Sequence, residues 1–62
     1  MNVDLVHALL KEKGITAFVR LMERKHGIVE NTVWMWLHRK SIPQKYHKDV
    51  AAYLGVTVDS LL

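Results

Sequence analysis

The sequence predicts an all-α fold of five short helical pieces. Three observations carry that prediction. Gly14, Gly27 and Gly55 cut the 62 residues into segments of helical length. Apolar residues in these segments recur at three- and four-residue spacing, on one face of a 3.6-residue helix. Strand-like alternation is confined to Val56-Thr57-Val58-Asp59, too short to compete with the capping pattern around it.

Asn2 is suited to cap the first piece, with Asp4 placed to complement the positive helix end. Leu5, Val6, Leu9 and Leu10 give it an apolar stripe, and Gly14 ends it after Lys11 and Lys13. Thr16 is read as the cap of the second piece, in which Phe18, Val19 and Met22 share a face with Leu21 at its edge. Gly27 stops that helix, since glycine adopts the left-handed conformation without steric cost. The third piece runs from about Glu30 to His38 or Arg39. Val33, Trp36 and Leu37 point inward, which turns Asn31, Met35 and His38 outward and puts Trp34 on the flank. Lys40-Ser41-Ile42-Pro43 is a loop. Pro43 suits the first turn of a fourth helix whose buried face is Tyr46, Val50 and Tyr53 or Leu54. Gly55 closes it, and Thr57 caps a last turn from Val58 to Leu62.

Size and composition narrow the function classes. A chain of 62 residues makes one domain, 1–62, with little room for an enclosed substrate cleft. Without cysteine there is no disulfide framework and no thiolate metal site. His7, His26, His38 and His47 form no tight metal-ligating pair, and no nucleophile, base and oxyanion donors are grouped in the sequence. The expectation is therefore a non-enzyme that uses no metal, cofactor or small-molecule substrate. No apolar run is long enough for a membrane span, and the first residues do not read as a signal peptide, so a cytoplasmic protein is expected. The net charge of +3 is modest, but its placement is informative. Arg20, Arg24, Lys25, Arg39, Lys40, Lys45 and Lys48 lie in the middle of the chain against only Glu23 and Glu30. The positive field is centred on the corner at Gly27.

Gly27, Ile28, Val33 and Trp36 follow one another as in the helix–turn–helix of phage Cro proteins and lambda-repressor-like regulators, which this stretch resembles. The tail from Val50 through Gly55 to Leu62 is similar to that family's closing helix, glycine turn and final short helix. The loop 40–43 fits as well. These segments lie between Gly27 and Leu62, more than half the chain. Three positions differ from the family pattern, the first being Thr16, which lies about two residues too early for the usual cap of the second helix. Glu23 stands where a small residue is usual, and Val29 where a Ser or Thr cap is common. The resemblance implies a compact five-helix lambda-repressor-like domain with a helix–turn–helix. It implies a Cro-type repressor that binds double-stranded DNA, with a recognition helix of about residues 30–39 in the major groove. Two copies would act on a pseudo-palindromic operator in a bacterial or phage-infected cell.

On that reading Glu30, Asn31, Trp34, Met35 and His38 are the candidate base contacts. Asn31 can pair with an adenine edge, Glu30 can accept from a cytosine amino group, and Trp34 and Met35 can meet thymine methyls. Trp34 can instead pack on a neighbouring helix. Arg39, Lys40, Ser41, Gln44 and Lys45 are the candidate phosphate contacts, aided by the start of the fourth helix. Arg20, Arg24 and Lys25 read as a solvated face. Val56, Val58, Leu61 and Leu62 either complete the core or supply the surface of a weak homodimer formed on DNA. The alternative is a small protein-interaction module, antitoxin-like or a regulatory partner, that docks through Trp34 and Met35.

Overall fold

A computed structural model describes residues 1–62, and it is all-helical. Four α-helices are joined by short turns: α1 (Val3–Lys13), α2 (Ile15–His26), α3 (Glu30–Arg39) and α4 (His47–Leu54). Two single 3-10 turns, Gln44–Tyr46 and Asp59–Leu61, precede and follow α4. The expected fifth helix is the second of these turns. Thr57 does organise it: its Oγ1 accepts from the Ser60 amide at 3.3 Å, and Ser60 Oγ donates to the Thr57 carbonyl at 2.7 Å.

Asn2 caps α1, its Oδ1 accepting from the Leu5 amide at 3.1 Å. The buried stripe of α1 is Val3, Val6 and Leu10, while Leu5 is exposed and Leu9 half-buried. Val6 and Leu10 are thus inward as expected, Leu9 lies at the edge of the core, and Val3 takes the place expected for Leu5. Leu61 decides the register. It is buried beside α1, and its carbonyl accepts from the Asn2 amide. Gly14 caps α2 without a side-chain bond, and Thr16 lies exposed inside the helix. The hydroxyl of Tyr53, from α4, donates to the Gly14 carbonyl at 2.6 Å and so ties the first turn to the far end of the chain.

Val6, Leu10, Phe18, Met22, Val33, Val50 and Leu61 are almost wholly removed from water. They come from every helix and from the last turn, so one core holds all the elements. The α2–α3 corner forms as its sequence dictates. Gly27 is left-handed at φ 68°, its amide donates to the Glu23 carbonyl at 2.8 Å, and Ile28 is buried beneath it. Glu23, which stands where the family pattern has a small residue, is exposed.

Two departures concern the second half of the chain. Trp36 is half-buried rather than fully inward, and it stacks on Tyr46 with ring centroids 5.0 Å apart. Tyr46 meets His26 edge-on at 5.1 Å, so an aromatic column joins the end of α2, α3 and the 3-10 turn. The α-helical part of the fourth helix begins only at His47, because the residues after Pro43 first make a 3-10 turn. Its buried residues are Val50 and Ala51, with Tyr46, Tyr53 and Leu54 half-buried. Val58 and Leu61 pack on or in the core, whereas Val56 and Leu62 remain exposed.

Candidate functional site

The ten residues of α3 are fixed from below and open above. Val33 and Leu37, four residues apart, are buried, and Ile28 seals the entry to the helix. Val29 occupies the N-cap position with no side-chain bond and is 60% exposed, so this helix start has no side-chain acceptor for its free amides. Glu30 supplies the complementary negative charge instead.

The opposite face carries Asn31, Trp34, Met35 and His38, all exposed and spaced so that they form one stripe. Trp34 is 40% and Met35 44% exposed, a large apolar surface for so small a molecule. Trp34 is nevertheless held in place. Its Nε1 donates to Glu30 Oε2 at 3.3 Å, and its ring meets His7 of α1 edge-on with centroids 6.1 Å apart. It therefore packs on a neighbouring helix and faces solvent at once. An open groove of about 650 Å³ runs between α1 and α3, with His7 on one wall and Asn31, Trp34, Met35 and His38 along the other.

The end of α3 is built by an unusual cap. Lys40 takes the left-handed conformation, φ 57° and ψ 40°, the only residue other than glycine at positive φ. The Ser41 amide donates to the Trp36 carbonyl at 3.0 Å across it. This is the glycine-type helix ending with a lysine in the glycine position. The following loop is pinned by Ile42, which is buried, and by His47, whose Nε2–H donates to the Ile42 carbonyl at 2.8 Å. Arg39, Lys40, Ser41, Gln44 and Lys45 are all exposed around this pinned loop. Lys40 Nζ lies 3.4 Å from the Asp4 carboxylate of α1, an ion pair exposed on both sides. Lys45 lies over the Tyr46 ring, 5.2 Å from its centroid. The helix start that was expected to assist these side chains is the 3-10 turn, not the first turn of an α-helix.

Away from this face, Lys25 and His26 at the end of α2 both bond Asp49 of α4, Lys25 at 2.5 Å and His26 Nε2 at 2.9 Å. Hydrogen bonding from Lys25 is the main cause that holds the Asp49 carboxyl below the ordinary value of 3.8. His26 adds to it, and partial burial opposes it. Arg20, Arg24 and Lys25 are all exposed, as expected of a solvated face, but Lys25 also ties α2 to α4 through Asp49.

All ten residues singled out in the sequence thus lie on the surface of α3 or of the segment that follows it. In the sequence Asp4 has only a helix-end role, His7 only a place among four unpaired histidines, and Asp49 no role. His7 is the more consequential, since it forms the far wall of the groove and its Nε2 is buried without a hydrogen-bond partner. A histidine at the fifth position of an apolar-striped helix is its only signal in the sequence. No helix is long and apolar enough to cross a membrane. Comparison of the chain with protein-family models, with curated proteins and with solved structures finds no match.

Proposed function

We propose that this chain is a lambda-repressor-like regulator of Cro type that binds double-stranded DNA and performs no catalysis. The observation that carries this reading is the outward stripe Asn31, Trp34, Met35, His38 on a helix anchored by Val33 and Leu37 and running into an exposed cationic loop. A helix of ten residues is about 15 Å long and about 10–12 Å across, dimensions that a major groove accepts. With α3 in the groove, Arg39, Lys40, Ser41, Gln44 and Lys45 lie at its C-terminal end, where the phosphate backbone would pass. Glu30 at the other end repels phosphate and favours specific over non-specific contact. The small footprint favours two copies, a weak homodimer formed on DNA, with half-sites one helical turn apart. The working location on this reading is the cytoplasm of a bacterium or a phage-infected cell.

Selection of bound duplexes from a random pool tests the proposal. A two-fold symmetric consensus, with affinity that falls steeply as salt rises, is the expected result. Absence of binding to any duplex in dilute buffer overturns it.

A second reading draws on the exposure of Trp34 and Met35 beside an open groove. A protein partner, as in an antitoxin-like module, could dock its apolar side chains there. Such docking would be nearly indifferent to salt, which separates the two readings in one titration.

A further inference from the structure

We infer that α3 selects its site chiefly through the 5-methyl group of a pyrimidine, read by Trp34 and Met35, and not through a Glu30 contact to cytosine. The inference rests on the DNA-binding reading above and narrows what that surface recognises.

Hydrogen-bonding capacity decides it. Tryptophan has a single donor, its indole N–H, and no acceptor. In this chain that donor is directed at Glu30, 3.3 Å away, so what Trp34 turns outward is carbon surface. Met35 offers only a thioether, a weak acceptor. A base edge rich in donors and acceptors would lose its water against these two groups and gain no partner. The one apolar feature in the major groove is the pyrimidine 5-methyl. The same bond takes one acceptor oxygen of Glu30 and holds its side chain against the indole, so its role becomes that of orienting Trp34. His7 completes the setting from α1 by its edge-on contact at 6.1 Å.

Asn31 is the remaining polar group of the stripe between Glu30 and His38, and none of the side-chain hydrogen bonds of the molecule uses it. Its amide is free to pair with adenine. Asn31 and Met35 are one helical turn apart, a rise of about 6 Å. That is roughly two base-pair steps of about 3.4 Å. With α3 inclined to the duplex axis that span shortens, so the half-site should hold an adenine within about two steps of the methyl-bearing pyrimidine. Thymine and 5-methylcytosine both supply that methyl.

The test uses the duplex recovered from the random pool. Each thymine is replaced singly by deoxyuridine, which removes only the methyl. Wild-type protein should lose about four-fold in affinity at one or two thymines per half-site, the value of one buried methyl. In Met35→Ala with Trp34→Ala the same replacements should have no effect, with circular dichroism confirming that the variant is folded. Cytosine at the sensitive position should bind as weakly as uracil. If 5-methylcytosine there restores binding, the methyl alone is read; if it does not, thymine is the source. Specific binding that ignores deoxyuridine at every thymine, or a consensus of G·C pairs that Glu30→Gln abolishes, would overturn the inference and leave the DNA-binding reading intact. Failure to bind any duplex removes that reading itself.

Discussion

Replacing Lys40 by glycine should move stability and DNA affinity in opposite directions. Lys40 sits left-handed at φ 57°, where an L-residue pays about 1–2 kcal/mol in steric repulsion. Glycine removes that cost but loses up to about 1 kcal/mol more conformational entropy on folding. The ion pair to Asp4 is 66% and 73% exposed on its two sides, so its loss removes only about 0.3 kcal/mol. The net gain is about 0.5 kcal/mol, or roughly 2–4 °C in Tm for a domain of this size. The proposed phosphate contact is lost at the same time. Affinity should fall alike on all duplexes, and the slope of log K against log salt should become shallower by about 0.9. Thermal melts and anisotropy titrations at several salt concentrations measure both. A lower Tm would refute the account of the cap. A higher Tm with an unchanged salt slope would refute the contact.

Asn31→Ala should relax preference at one base position while leaving the salt slope unchanged, read by repeating the duplex selection. Asp49→Asn should cost about 1 kcal/mol at pH 7, because it removes two charge-assisted bonds whose Lys25 partner is largely in water. Since the folded-state carboxyl titrates below 3.8, its stabilisation is complete above that value and vanishes as the pH falls from it through the lower folded-state value. The melting difference between Asp49→Asn and wild type should therefore close in that acid window, and a difference that persists below it would contradict the assignment. Tyr53→Phe removes the 2.6 Å bond to the Gly14 carbonyl and should lower stability by about 1 kcal/mol in urea denaturation, with no change in DNA binding.

The helix ends were legible because they depend on one residue at a time. Gly14, Gly27 and Gly55 each stand at a helix end as read, and Asn2 caps as its side chain dictates. The inward face of α1 was legible at Val6, Leu10 and, at its edge, Leu9, but not at Leu5, because Leu5–Leu9 and Val6–Leu10 are equally good i, i+4 pairs. Only contact with Leu61, far along the chain, selects the second and adds Val3. Thr16 misled for a related reason: a good capping side chain gives no advantage when the helix starts two residues earlier at a glycine. The outward residues of α3 could be placed from Val33 and Leu37 alone. Trp36 could not, since its depth is set by Tyr46, ten positions away. His7 and Asp49 become meaningful only when α1 meets α3 and α4 meets α2.

The bond from the Asn2 amide to the Leu61 carbonyl brings both ends of the chain to one corner. Met1 lies there in a shallow dip shared with Lys40, Ser41 and His47. Whatever is fused to either terminus must leave from this shared exit, next to the loop proposed to grip the backbone of DNA. An affinity tag rich in histidine or lysine would add its own cations to that grip and steepen the apparent ionic-strength dependence, whereas an acidic fusion would blunt it.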